Sequence, residues 1–353
     1  MRKLATIRRI LSLTPIEGAD KIELAQIDGW KVVVQKGLHE VGNLVVYYEI
    51  DSLLPVDEKF EFLRKTSYVK DSQEGEGFRL RTIKMRGQIS QGLIMPLKEV
   101  SSIIGHLDVY EGMDVTELLN IKKYERIIPA ELAGMIRGNF PSFIPKTDQE
   151  RIQNFYNDYD TKYRHHFWET SLKLDGSSMT MYFNAETDTF GVCSRNLDLL
   201  ESDTNTFWNV ARELDVERKL RERNEFYMTN FGRKSSIAIQ GELMGPGVNG
   251  NREGFKKHEF FVFDIFDIEE QKYFKHSTRI GNTEALGLQH APIYSVGPID
   301  MNSVDEFLYR AENFLEGKSI NNPVREGMVY KSLDDPSISF KAISNKYLMN
   351  GGD

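Results

Sequence analysis

Apolar residues recur in short alternating runs over the first hundred positions, each run closed by turn-forming residues. Ile22–Ile27, Trp30–Val34 and Asn43–Ile50 read as strands, separated by Asp28-Gly29 and by Gly37; Phe78–Ile83 and Ser90–Met95, with Gly87 between them, continue the series. Several short strands at this spacing predict a small barrel or sandwich. By the two-residue period of a strand, Arg79 and Arg81 share one face, and Lys84 and Arg86 fall on the next turn or strand. Such a row of cations is either a solvated strand face or a groove that tracks nucleic-acid phosphates.

The pattern then breaks. Gly138, Pro141 and Pro145 interrupt both helical and strand periods, which predicts a linker between Arg137 and Pro145. Asp148 reads as an N-cap for a helix from Gln149 to about Tyr156, with Arg151 and Asn154 three residues apart on one face. Beyond it, the runs Ser171–Leu174, Met179–Phe183, Phe190–Ser194, Ser236–Leu243, Phe260–Ile265 and Gly327–Ser332 predict strands. A helical insertion spans about Thr204 to Arg223, with Phe207, Val210 and Leu214 on its apolar face. The expected architecture is α+β with mainly antiparallel sheets, divided into residues 1–140 and 141–353.

Composition narrows the function classes. The 353 residues carry 45 Lys+Arg and 53 Asp+Glu, a net charge of −8, so the surface as a whole does not suit polyanions. Basic and acidic residues are balanced at 20 each up to residue 140, which places the excess acidity in the C-terminal part and makes any nucleic-acid site a local one. The single cysteine, Cys193, excludes an intramolecular disulfide and a cysteine zinc site, and a reducing, intracellular compartment is expected, the cytoplasm first. No apolar window is long enough to predict a membrane span, and no motif points to an obligate protein partner.

The sharpest local signal is Lys173-Leu174-Asp175-Gly176 at the end of an apolar strand, where a lysine is held before a tight turn. It is followed in order by Ser194-Arg195-Asn196, Gly241-Glu242-Leu243, Phe261-Val262-Phe263-Asp264, Arg325-Glu326-Gly327-Met328-Val329-Tyr330-Lys331 and Ser339-Phe340-Lys341. This series resembles motifs I, Ia, III, IIIa, IV and V of the covalent nucleotidyltransferase superfamily, which contains ATP-dependent ligases and messenger-RNA capping enzymes. Glu49–Pro55 and Arg86–Gly92 are similar to the N-terminal domain of nick-sealing RNA ligases that carry an oligonucleotide-binding barrel ahead of the catalytic domain. The resemblance implies an N-terminal OB-like β-barrel followed by an adenylyltransferase domain.

It also implies a chemistry. Lys173 would attack the α-phosphorus of ATP, and because an amine attacks only when deprotonated, its pKa, about 10.4 in water, should be shifted down. Asp175, Glu242 and Glu326 would hold Mg²⁺ or Mn²⁺, through water, and Lys341 would contact the α-phosphate. Gly176, Arg195, Phe263 and Lys331 complete the implied ATP site, with Phe263 stacked on adenine and Phe261 as its alternative. Only Ala342–Asp353 follow motif V, so orientation of the pyrophosphate leaving group would fall to Arg151 and Asn154. Some relatives have two lysines in motif V where this chain has Ser339 and Lys341, which leaves a second lysine role unassigned.

The reading that results is an ATP-dependent RNA ligase joining a 3′-hydroxyl to a 5′-phosphate in nicked duplexes, with Arg79, Arg81, Lys84 and Arg86 as barrel contacts to RNA. DNA nick sealing and GTP-dependent capping are the enzymatic alternatives. A nucleic-acid-binding module with a degenerate catalytic domain is the non-enzymatic one.

Overall fold

The computed structural model describes residues 2–125, 135–321 and 323–351. Cα packing divides the chain into two compact units, Met1–Ile128 with Leu348–Asp353, and Pro129–Tyr347. Among the described residues no helix is long and apolar enough to cross a membrane.

The first unit is built from short antiparallel sheets. Ala5–Arg9, Leu44–Tyr48 and Leu93–Pro96 form one of them, with Leu44–Tyr48 in the middle. That strand reads as an unbroken apolar run because both of its faces are covered: Val46 and Tyr48 enter one buried cluster with Phe60 and Phe78, and Val45 and Tyr47 enter another with Trp30. Ile22–Ile27 pairs with Trp30–Gln35 through a tight turn in which Asp28 adopts φ 45°, a conformation that Asp tolerates better than most residues. The run Phe78–Ile83, read from sequence as one strand, is two. Gly77–Arg79 joins the strand Ser52–Leu54, and Thr82–Met85 turns back on Gln88–Gln91 through Arg86 and Gly87. Arg79 and Arg81 therefore do not share a face.

The second unit is organised by two sheets. The larger has eight strands and takes in Ile136–Asn139, Leu197–Leu199, Thr189–Cys193, Ser177–Asn184, Ile237–Met244 and Glu259–Asp267 in that order of pairing. Part of the stretch read as a linker is thus a sheet edge, because Ile136–Asn139 pairs antiparallel with Leu197–Leu199. The five-stranded sheet places Trp168–Lys173 between Gly327–Ser332 and Ile293–Gly297, with Ser339–Ile343 and Glu150–Arg151 outside them. Its back is lined by Tyr159, Trp168, Phe307, Tyr330 and Phe340, and the Tyr330 and Phe340 rings stack at 4.8 Å. Truncating an aromatic side chain buried this deeply costs about 3–5 kcal/mol, so the strand that ends at Lys173 stands on a rigid base.

The helical insertion is two helices, Thr206–Glu213 and Val216–Phe231, broken at Asp215, which sits at φ 55°. Asn205 caps the first by accepting from the backbone N–H groups of Phe207 and Trp208.

Candidate active site

Lys173 is the last residue of its strand and lies in register with Gly327, which brings the side chain against Glu326. Its Nζ is 3.0 Å from both carboxylate oxygens of Glu326. The turn Leu174-Asp175-Gly176 then carries the chain into the larger sheet, and the Gly176 N–H donates to Glu242 Oε1 at 3.0 Å. A Cβ on Gly176 would lie 2.4 Å from the Leu243 carbonyl oxygen and 2.4 Å from Met244 Sδ, so only glycine lets the turn sit this close to the Glu242 strand. Asp175 accepts from Asn249 Nδ2 at 2.6 Å and lies 3.5 Å from Arg252 Nε, whose guanidinium packs over the Tyr347 ring.

The electrostatics differ from the expectation for Lys173. Burial acts to lower its pKa, but Glu326, Glu242 and Asp175 together outweigh burial and raise it. Without nucleotide the lysine is therefore held as an ammonium. Glu242 shows the reverse balance: burial raises its pKa to about 7, with Lys173 opposing. No group of three His, Cys, Asp or Glu side chains among the described residues is arranged to hold a metal ion directly. The donors around Lys173 are hard carboxylate oxygens, which suits a divalent cation bound mainly through water, with Glu242 and Glu326 as the residues to hold it. Asp175, expected in the same role, accepts from Asn249 and lies near Arg252, and its charge also reaches Lys173.

Lys341 and Arg195 converge on a residue that the sequence reading used otherwise. Asp148 Oδ1 is 3.3 Å from Lys341 Nζ, and Asp148 Oδ2 is 3.4 Å from Arg195 Nη2. Asp148 is not a helix cap. The helix is Ile152–Asp158, and Glu150–Arg151 ahead of it forms a short parallel pairing in which Arg151 faces Lys341. Arg151 is buried, and Asn154 donates to Glu150 Oε1 at 2.9 Å, so the two belong to one locality but not to one helix face.

Phe263 sits at a β-bulge: Gly241 pairs with Val262 and Gln240 with Asp264, which leaves Phe263 as the extra residue. It is half-buried and packs with Leu172, Leu174, Met244 and the more deeply buried Phe261. Lys331 is 4% exposed, its Nζ donates to the Phe263 carbonyl at 3.0 Å, and it pairs with Asp264. Asp264 lies 3.9 Å from Arg279, Arg279 pairs with Glu169, and His276 Nδ1 is 2.5 Å from the same Glu169 carboxylate. Arg279 Nε donates to His290 Nε2 at 3.0 Å; burial and Arg279 push the His290 pKa down to about 4, keeping that imidazole neutral. Asn249, Arg252, Glu169, Arg279, His276 and His290 carry no sequence periodicity or motif that would have singled them out, while Asp264 and Asp148 stood in the sequence reading as a motif end and a helix cap, without these partners.

In the first unit Arg81, Lys84 and Arg86 are exposed, whereas Arg79 is buried 3.7 Å from Asp51 with its guanidinium 4.1 Å from the Tyr124 ring. Arg79 leaves the basic row because the strand breaks after it. A cleft of about 700 Å³ lies beside the Thr82–Gln91 hairpin, lined by Lys21, Lys36, Gln35 and Met85 among others.

A strand-borne lysine ringed by carboxylates between two mainly antiparallel sheets, in a chain whose first unit is built from short strands, defines a covalent nucleotidyltransferase with an OB-type domain. An OB-fold domain model matches residues 4–97 and an RNA ligase model matches residues 166–345. No curated protein matches the chain. Among solved structures, an RNA ligase of Naegleria gruberi, a glutamate-to-alanine variant with AMP and Mn, is 38% identical, with 98% of each chain covered and a TM-score of 0.86. A second glutamate variant of that ligase with ATP and Mn is 39% identical over 100% of both chains, TM-score 0.86; the ligase with PPi is 39% identical over 99% of this chain and 98% of that one, TM-score 0.85. The chain belongs to the RNA ligase family.

Proposed function

We propose that the protein seals RNA nicks, joining a 3′-hydroxyl to a 5′-phosphate with ATP through a lysine-AMP intermediate. The observation that carries this is the placement of Lys173 Nζ at 3.0 Å from Glu326, beside Glu242, at the end of a rigid strand. The Naegleria ligase solved with ATP and Mn, with AMP and Mn and with PPi supports ATP and a divalent metal as its reactants.

In the first step the Lys173 ammonium sheds protons to solvent as the nitrogen bonds to the α-phosphorus, while the bond from that phosphorus to the pyrophosphate oxygen breaks and pyrophosphate leaves. A divalent cation held by Glu242 and Glu326, when bound, offsets the field that keeps Lys173 protonated and the charge that builds on the α-phosphate. Lys341 and Arg195 release Asp148 to meet the α-phosphate and ribose, Arg151 and Asn154 take the outer phosphates, and Phe263 stacks on adenine. An oxygen of the RNA 5′-phosphate then attacks the lysine-bound phosphorus, and the P–N electrons return to Lys173. Finally the 3′-hydroxyl oxygen attacks the activated 5′-phosphorus and gives its proton to solvent, the bond from that phosphorus to the AMP oxygen breaks, and AMP leaves as the phosphodiester forms.

On the barrel, the exposed Arg81, Lys84 and Arg86, with Lys21 and Lys36 of the neighbouring cleft, are the cations that would meet the RNA backbone. Incubation with α-labelled ATP and Mg²⁺ should label the protein, and Lys173→Ala should abolish the label; a labelled alanine variant refutes the nucleophile. Sealing of matched nicks whose 3′-hydroxyl strand is RNA or DNA, together with acceptance of labelled GTP, separates RNA ligation from DNA ligation and capping.

A further inference from the structure

We infer that Lys331, acting with Asp264, is a positioning residue that fixes the Phe263 ring by holding the backbone of its bulge, and is not a ligand of the nucleotide phosphates. This rests on the ligase reading and specifies how its adenine platform is set. The bulge removes Phe263 from the regular ladder of the larger sheet, and its carbonyl accepts a hydrogen bond from Lys331 of the five-stranded sheet. Lys331 and Asp264 are both buried and are paired with each other. An ammonium committed to a carbonyl and a carboxylate in the interior cannot reach a phosphate without giving up both, which would leave Asp264 with only the more distant Arg279, at 3.9 Å.

The ion chain continues from Asp264 to Arg279 and Glu169, and Glu169 stands four residues before Lys173 on its own strand, in register with Lys331. The chain therefore connects the strand that bears the nucleophile to the strand that bears the stacking ring, across the two sheets. Buried ionic groups of this kind add little net stability, but they select one arrangement of the elements they join. Here the arrangement selected is the placement of Phe263 relative to Lys173.

Adenosine separates the two roles because it has the base and no phosphate. Binding of adenosine and of ATP is measured by calorimetry on the full chain without divalent metal, with folding checked by thermal melting. Lys331→Met should weaken both ligands by the same factor, about five- to tenfold if most of the stacking contact is lost. In Lys331→Met/Phe263→Ala the two losses should not multiply, since one acts through the other. Asp264→Asn, a milder change that decides the matter if Lys331→Met does not fold, should also weaken both ligands. ATP affinity falling while adenosine affinity holds, in either variant, overturns the inference, as does independent multiplication with Phe263→Ala. Wild-type protein that binds neither ligand would sink the ligase reading itself, and the inference with it; unaltered affinity in the variants sinks the inference alone.

Discussion

Replacing Glu326 by Gln tests whether carboxylates hold the nucleophile protonated before nucleotide arrives. The Glu326 carboxylate is 3.0 Å from Lys173 Nζ, and a unit charge at that separation interacts by about 5.5 kcal/mol at an effective dielectric constant of 20. Gln keeps an acceptor for the ammonium, and Glu242 and Asp175 remain, so the net change is smaller. Removal of one opposite charge at contact distance should lower the Lys173 pKa by about 1–3 units, each worth about 1.4 kcal/mol. Carbon-detected NMR titration of ¹³Cε-labelled lysine, with Lys173→Arg to assign the resonance, reads that pKa directly. The sign extends to stability. Because the folded-state pKa of Lys173 is raised, the stabilisation from its pairing is complete below about pH 10.4 and is lost as pH rises through the folded value. The gap in melting temperature between wild type and Glu326→Gln should therefore close in the alkaline range, once pH passes the folded value of Lys173. A Lys173 pKa that stays put or rises in the variant refutes the account.

Gly176→Ala should be among the most damaging small changes in the chain. Its Cβ meets backbone and sulfur at 2.4 Å, overpacking that costs about 1–3 kcal/mol, and movement of the turn also breaks the hydrogen bond to Glu242. Melting and label transfer should both fall, and a variant that melts and labels like wild type contradicts the close approach described. For the barrel, filter binding of nicked RNA duplex by Arg81→Ala/Lys84→Ala/Arg86→Ala should lose affinity and show a shallower salt dependence, with a log–log slope reduced by about 2–3. An unchanged slope removes these cations from the RNA face.

Much of the fold was legible because its elements follow simple periods. Ile22–Ile27 and Trp30–Gln35 stand almost where alternation and the Asp28-Gly29 turn place them, and Lys173, Glu242 and Glu326 meet as the motif order implies. What was not legible depended on breaks that periodicity cannot register. One strand became two between Arg79 and Thr82, which sent Arg79 inward to Asp51. A single extra residue at Phe263 took its carbonyl out of the ladder, and Lys331 donates to it. Asp148 looked like a cap because Asp often is one, but its partners, Arg195 and Lys341, lie far along the chain. The expected fall in the Lys173 pKa counted on a bound divalent metal and on Lys341, whereas in the unliganded protein three nearby carboxylates outweigh burial.

The Asp148 arrangement sets a threshold for entry. With a carboxylate already seated between Lys341 and Arg195, an arriving phosphate must evict an occupant, and its gain is the difference between two pairings. Inorganic phosphate, which brings nothing else, recovers little from that exchange, whereas a nucleotide adds a base and further phosphates and tips it. On the proposed reading Asp148 would act as a placeholder anion, and this corner would favour guests that come with more than charge.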